Sequence, residues 1–170
     1  MPEQTSTTSD LEQMEAILER EDLGHLAMTA NGELYLIPIN YAYAKGRILF
    51  HCALEGRKLD MIRANASVCF EVSAQEGRPA PHPGTLCDAS KSAPFESVIC
   101  WGVARIVEDP EERCGILNEF QARFNEPGRA AATLTIEATK RCWAVEITVS
   151  RMTGRCTGPG GKQAWEWSRA

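Results

Sequence analysis

Two turn signals flanked by strand-forming residues constrain the fold of this 170-residue chain more than any other feature. Asn31-Gly32 is the strongest short hairpin signal, because the central residues of a two-residue hairpin turn need positive φ angles. Lys45-Gly46 marks a second turn. The segments around these turns, 25–30, 34–43 and 47–53, are rich in apolar and aromatic residues. We therefore predict three consecutive antiparallel strands, forming a meander.

The same patterns predict the rest of the fold. Further strands are expected at 67–73, 95–107 and 142–149, and helices at 11–20, 58–65 and 111–124, from the spacing of their apolar residues. Six strands with short turns and only peripheral helices favour a mainly β protein, a small six-stranded antiparallel barrel. We expect one domain over 1–170, with flexible tails at 1–9 and 158–170, and a long proline-rich loop or flap at 76–94.

Composition narrows the partners and the location. The chain carries 18 Lys and Arg against 23 Asp and Glu, a net charge of -5, which disfavours nucleic acid or an anionic membrane as the main partner. Neither a signal peptide nor an apolar run of membrane-spanning length is apparent. Seven cysteines, an odd number without a C-x-x-C pair, favour reduced thiols. We expect a soluble, cytoplasmic protein.

Several standard chemical signatures are absent. The tail sequence G-P-G-G-K-Q at 158–163 resembles a phosphate loop only superficially, because Cys156 replaces its first glycine and Gln163 its Ser or Thr. No G-x-G-x-x-G follows a strand, and the three histidines are too scattered to predict a metal site. We read the tail, with its two tryptophans, Trp165 and Trp167, as flexible.

The segment 37–63 carries the most chemical information. Arg57 and Lys58 lie at the start of the predicted helix 58–65. A helix N-terminus presents unpaired N–H groups and the positive end of the helix dipole, which suit an anion such as a phosphate. Arg adds a forked donor and Lys a point charge. The alternative is a surface turn with ordinary solvated charges.

The strands before this helix could hold a planar ring. Pro38 removes a donor from the strand ladder, which predicts an edge or bulged strand with backbone groups free for a ligand. Asn40 would face the same side as Pro38 and could bond a ring edge. At the end of the next strand Phe50 and His51 alternate, and His51 could lie where a substrate binds. A flavin with its phosphate at Arg57 and Lys58 would fit this pattern.

A resemblance supports the flavin hypothesis. The chain resembles the nitroimidazole-resistance branch of the pyridoxamine 5'-phosphate oxidase-like, FMN-binding split-barrel proteins over about residues 11–157. The segments that carry the resemblance are L-A-M-T-x-N-G-x-L-Y-x-I-P-I-N-Y, I-L-F-H-C-A-x-E-G-R-K-L-D-x-I-R-A-N, V-C-F-E-V, C-D at 87–88, E-S-V-I-C-W-G-V-A-R-I-V-E-D-P-E-E and V-E-I-T-V-S-R-M-T-G-R.

The resemblance implies a split β-barrel homodimer with two FMN sites at the subunit interface, each built from both chains. Matched by position, the ring would be lined by Pro38, Ile39 and Asn40, its edge by His51 and Cys52, and the phosphate by Arg57 and Lys58. Ser97, Val98 and Ile99 would come from the partner chain. Two positions depart from the family pattern: Cys52 stands where Ser is common, and Asn65-Ala66 where Asn-Pro is usual.

These observations lead to three functional hypotheses. The first is an FMN-dependent oxidoreductase that passes electrons from NAD(P)H to a small electrophile such as a nitroaromatic or quinone, with His51 as the catalytic residue. The second is a non-catalytic flavin- or haem-binding module, in which His51 is the axial ligand of the haem. The third is a protein that only sequesters a small aromatic molecule.

Overall fold

The computed structural model describes residues 8–75, 77, 94–125, 133–158 and 161–169. Twelve elements follow one another along these ranges: α1 (Thr8–Arg20), β1 (Leu23–Ala30), β2 (Glu33–Asn40), β3 (Ala42–Tyr43), β4 (Arg47–Cys52), α2 (Arg57–Ala64), β5 (Ser67–Gln75), β6 (Phe95–Val107), α3 (Pro110–Arg123), α4 (Ile136–Thr139), β7 (Trp143–Gly158) and β8 (Gly161–Ser168). The predicted loop at 76–94 lies almost entirely outside the described residues, as do residues 1–7.

The strands form one antiparallel sheet. Its order is β2-β1-β5-β6-β7-β4-β3, and β8 pairs with β7. The prediction of a mainly β, antiparallel protein with helices is confirmed. The predicted number of six strands is wrong, because the described residues form eight. The two additional strands arise where the chain leaves β2 and continues as β3, and at the C-terminus, where β8 forms.

The first hairpin agrees with the sequence, but the third predicted strand does not join it. Asn31 and Gly32 both have positive φ angles, 52° and 82°, in the turn between β1 and β2. β4 pairs instead with β3 and β7. The cause lies at Tyr41, which is fully buried and donates from its hydroxyl to the Leu18 carbonyl of α1 at 2.8 Å. This contact turns the chain away from β2, so the predicted meander is wrong.

The C-terminal segment also differs from the prediction of a flexible tail. Within it, Gly161–Ser168 forms β8, which pairs along Arg151–Gly158 of β7. Trp165 and Trp167 alternate along β8 and are half-buried against the main core. A Cβ at Gly154 would lie 2.7 Å from both Met14 and Trp165, so β7 and α1 leave room for the indole only because residue 154 is glycine. Burial of the two indoles explains why this segment is ordered as a strand.

Two cores lie on opposite faces of the sheet. The larger core fills the inner face, where α1 and α2 contribute residues such as Met14, Leu18 and Leu59. The smaller core lies under α3, where Ile116 and Leu117 pack on Leu49 of β4. β4 is therefore buried on both faces, and His51 falls on the face that α3 covers. None of the helices within the described ranges is long and apolar enough to cross a membrane.

A network of ion pairs ties α3 to the sheet. Glu146 of β7 is only 7% exposed and accepts hydrogen bonds from Arg47 of β4 at 2.9 Å and Arg105 of β6 at 3.0 Å. Arg105 also binds Glu112, and Arg47 binds Glu119, both on α3. The network therefore joins three strands and a helix through one carboxylate.

This network predicts acid sensitivity. Burial opposes the ionisation of Glu146, but the hydrogen bonds from Arg47 and Arg105 outweigh it and hold the pKa of this carboxyl below its ordinary value. A carboxyl whose pKa is lower in the folded state stabilises the fold above its unfolded pKa, near 4.3, and this stability is lost as pH falls through the folded value. Urea unfolding at pH 7 and pH 3 measures the loss.

The variant Glu146→Gln isolates the contribution of this residue from those of the other carboxyls. Its free energy of unfolding is expected to be lower at pH 7 and to change less between pH 7 and pH 3 than that of the wild type. An unchanged difference between the two pH values would show that Glu146 is not the source of the sensitivity.

Candidate functional site

Helix α2 begins without a side-chain cap. Its N-cap residue, Gly56, has a φ of 132°, a conformation that residues with a Cβ rarely adopt, and makes no side-chain cap hydrogen bond. The N–H groups of Leu59 and Asp60 bond to the Gly56 carbonyl. The N–H groups at the very start of the helix therefore point out of the helix, which is the arrangement that suits an anion.

Arg57 is held at this helix start by strand β2. Its guanidinium lies 2.7 Å from a Glu33 carboxylate oxygen and 4.6 Å from the centre of the Tyr35 ring. Both members of the ion pair are more than half exposed, so the pair contributes little stability. A stronger anion can replace Glu33 at low cost.

Lys58 has a different environment. Its ammonium lies 5.1 Å from the centre of the Phe50 ring, and burial lowers its pKa. Within the described ranges the structure records no carboxylate partner for this ammonium. A half-buried cation without an anion is unfavourable unless a ligand supplies the charge. Of the two cations at this helix start, Lys58 is therefore the one whose charge an added anion would stabilise more.

Asn40 and His51 meet at a cavity of about 540 Å³ between the sheet and helices α3 and α4. The His51 ring packs edge-to-face on Phe120, with 5.2 Å between ring centres. Asn40 donates from Nδ2 to the Asp22 carbonyl at 3.1 Å, which fixes its side chain at the mouth. The lining consists of Asn40, His51, Leu117, Phe120, Gln121, Phe124, Leu134, Ala138, Thr139 and Cys142.

The remaining residues proposed from the sequence occupy three environments. Pro38 is exposed on β2, which is an edge strand of the sheet, as predicted. Ile39, Phe50 and Cys52 are buried and belong to the main core, so their side chains are not accessible to a ligand. Burial raises the pKa of the Cys52 thiol, which keeps this thiol protonated.

Ser97, Val98 and Ile99 lie far from His51 within one chain. Val98 is buried, whereas Ser97 and Ile99 line a second cavity of about 520 Å³ together with Arg155, Trp165 and Glu166. Ser97 is opposite Arg155 on β7, and His51 is opposite Ala144. These positions are eleven residues apart, which at about 3.3 Å per residue corresponds to roughly 36 Å along the strand.

The structure adds functional candidates that sequence reasoning missed. Leu117, Phe120 and Phe124 lie along one side of the α3 segment and line the cavity, and Phe120 also faces His51. No sequence signal placed these side chains against β4.

Trp143 is a second residue without a sequence signal for its role. Its indole N–H donates to the Leu54 carbonyl at 3.2 Å and fixes the loop that leads to Gly56. Arg113 of α3 lies over this indole, 4.8 Å from the ring centre. As far as the structure describes the chain, no three His, Cys, Asp or Glu side chains are placed to hold a metal ion.

Comparisons with known proteins agree with this architecture. A family model described as pyridoxamine 5'-phosphate oxidase matches residues 10–156. A search of the curated proteins gave no significant match.

Three solved structures illustrate the similarity. A protein described as a candidate 5-nitroimidazole antibiotic resistance protein from Bacteroides thetaiotaomicron is 22% identical, with 91% of this chain and 85% of that chain covered and a TM-score of 0.71. The FAD and heme binding protein from Mycobacterium smegmatis is 16% identical, with 97% and 83% covered and a TM-score of 0.74. The FAD binding protein from Mycobacterium smegmatis is 25% identical, with 90% and 98% covered and a TM-score of 0.57.

Proposed function

Because the chain belongs to the pyridoxamine 5'-phosphate oxidase family, we propose that it is an FMN-binding oxidoreductase that reduces a small electrophile with electrons from NAD(P)H. The observation that carries this proposal is Lys58, a half-buried cation without a described carboxylate at an uncapped helix start. The cavity that contains His51 and Asn40 lies on the face of β4 that α3 covers, and His51 is one residue before Cys52, the last residue of that strand. A nitroaromatic compound or a quinone is the acceptor that we favour.

The proposed roles follow from the position of each group. The phosphate would be bound by the first N–H groups of α2 together with Lys58 and Arg57. Arg57 would release Glu33 and pair with the phosphate instead. Backbone groups along Pro38, Ile39 and Asn40 would contact the ring. FMN, when bound, would supply the electron-transfer chemistry. The imidazole of His51 would donate a hydrogen bond or a proton to the acceptor in the cavity.

A homodimer would complete this site. Ser97, Val98 and Ile99 of β6 pair with the opposite end of β7 from His51, too far away to reach the same ring within one chain. A second copy of the split barrel could bring them there. Leu34, Leu36 and Val103 support such an arrangement, because all three are more than half exposed on the outer face of the sheet.

Absorbance spectroscopy tests the proposal directly. Purified protein is measured before and after the addition of FMN, and then with NAD(P)H under anaerobic conditions. We expect two flavin bands that bleach with NAD(P)H. Flavin bands that persist would contradict the nicotinamide donor, and a protein that takes up no FMN would overturn the flavin proposal.

Lys58→Ala tests the phosphate site. Loss of a charge-assisted contact is expected to weaken FMN binding about 10- to 30-fold, which fluorescence titration measures. Riboflavin, which lacks the phosphate, is expected to bind wild type and variant alike. Arg57→Ala serves as the comparison, with a smaller loss, because Arg57 already has an anionic partner in Glu33. Equal loss of FMN and riboflavin affinity would contradict the assignment.

Haem binding is a second candidate function. One observation favours it: an exposed imidazole, that of His51, stands at the mouth of a largely apolar cavity lined by Phe120 and Phe124. One of the similar solved structures is that of the FAD and heme binding protein from Mycobacterium smegmatis. A Soret band that disappears in His51→Ala would support this function over the flavin proposal.

A further inference from the structure

The cavity beside His51 contains no Asp, Glu, Lys or Arg among the lining residues that the structure describes. The polar groups of the described lining are two neutral amides, a hydroxyl and a thiol, from Asn40, Gln121, Thr139 and Cys142, besides the imidazole. The Nη2 atom of Arg123, near the C-terminal end of α3, is paired with Asp22 at 2.7 Å, and Arg123 is not among the residues that line the cavity. An anion placed in this cavity would therefore lose water without gaining a cationic partner from the described lining.

The walls of the cavity are held in place by contacts outside it. Arg123 also donates to the Arg20 carbonyl at 3.0 Å, which fixes the C-terminal end of α3 against α1. Asn118 accepts from the Leu134 N–H at 2.7 Å and donates to the Leu134 carbonyl at 3.2 Å, which fixes the segment before α4. Phe120 lies between these two anchors, so the cavity is formed before a ligand binds.

Phe120 is the central aromatic residue of the lining. Its ring contacts His51 edge-to-face and lies 5.0 Å from the Phe124 ring at an angle of 48°. Aromatic rings prefer edge-to-face or offset-stacked partners with centres about 4.5–7 Å apart. A flat ring entering the cavity can pack on Phe120 while its polar substituent reaches the His51 imidazole or the Asn40 amide.

We propose that this cavity is the acceptor site and that Phe120 determines its specificity, favouring a flat, uncharged aromatic molecule over an anion of the same shape. The proposal rests on the proposed function. It also implies that a phosphorylated substrate, of the kind named in the family description, does not suit this chain: such a dianion would have no described cationic group to bind in the cavity.

The test compares two near-isosteric probes, 4-nitrobenzamide and 4-nitrobenzoate, by isothermal titration calorimetry at pH 8. Binding is measured on the protein with and without added FMN, so the readout does not depend on turnover. We expect the amide to bind at least tenfold more tightly than the carboxylate. Phe120→Ala is expected to weaken binding of the amide at least fivefold. Phe120→Leu keeps an apolar side chain but removes the ring, and it is expected to weaken this binding about half as much as Phe120→Ala does.

Two further variants make the test specific. Leu11→Ala shortens a half-buried apolar side chain on α1, outside the lining of this cavity, and is expected to leave amide binding unchanged. Gln121→Lys introduces a cation at the proposed site, and we expect it to raise the affinity for 4-nitrobenzoate at least fivefold relative to that for the amide. Circular dichroism confirms that each variant is folded.

Equal affinity for the two probes, or amide binding that depends on Leu11 and not on Phe120, would overturn the proposal. These outcomes are distinct from failure of the proposed function, which is read from FMN uptake and bleaching. A protein that binds the amide through Phe120 but takes up no flavin would retain the charge preference and lose the role as an acceptor site.

Discussion

His51→Ala is expected to lower kcat/KM for the acceptor about 100-fold, the lower end of the range for a general acid. The imidazole lies at the mouth of the cavity, and among the described lining residues it is the side chain most often used as a general acid. Reduction of bound FMN by NAD(P)H is expected to change little. Stopped-flow absorbance separates the two half-reactions, since the flavin bands bleach in the first and return in the second.

His51→Gln is the matched control, because glutamine keeps a hydrogen-bond donor but cannot transfer a proton. If His51 only positions the acceptor, His51→Gln should restore most of the rate; if it transfers a proton, the rate should stay low. A His51→Ala enzyme with an unchanged second half-reaction would remove His51 from the proposed mechanism.

Gly102→Ala is expected to lower the free energy of unfolding by about 3 kcal/mol or more, in the range of severe core or backbone changes. A Cβ at this position would lie 2.3 Å from the Thr148 carbonyl oxygen and 3.0 Å from a methyl group of Ile147. The register of β6 against β7 shifts between Trp101 and Gly102, so the close approach is part of a bulge. The opposing atom is backbone and cannot move aside without disturbing the ladder.

Gly115→Ala provides the contrast. Gly115 lies within α3, where a Cβ would meet nothing within 4 Å, and alanine is expected to raise stability by about 0.5–1 kcal/mol because it favours helix. Urea unfolding of the two variants at pH 7 measures both effects. A Gly102→Ala protein as stable as the wild type would mean that the strands separate at the bulge without cost.

Local signals in the sequence predicted much of the sheet. Asn31-Gly32 fixed the first hairpin, because its turn chemistry depends only on neighbouring residues. Helix α2 was also predicted from a local signal, the spacing of the apolar residues within 58–65. The third strand was assigned correctly as a strand but with the wrong partner: its pairing with β7 joins His51 to Ala144, and no local pattern encodes a contact at that separation.

The candidate site shows the same division. Arg57, Lys58, Asn40 and His51 could be proposed from the motif that contains them. The structure shows in addition that Glu33 pairs with Arg57, whereas Lys58 has no described carboxylate partner. This difference depends on how β2 and β4 surround the start of α2. The role of Phe120 was still harder to predict from the sequence, because its contact with His51 requires α3 to fold back over β4.

Cys142 and Trp143 connect the cavity beside His51 to the loop before α2. Cys142 lines the cavity beside His51, and the next residue, Trp143, holds the loop before Gly56 through the Leu54 carbonyl. A shift of this dipeptide would alter both sites at once. Linkage then requires reciprocity: if a ligand in the cavity strengthens phosphate binding at α2 by some factor, the phosphate strengthens binding of that ligand by the same factor.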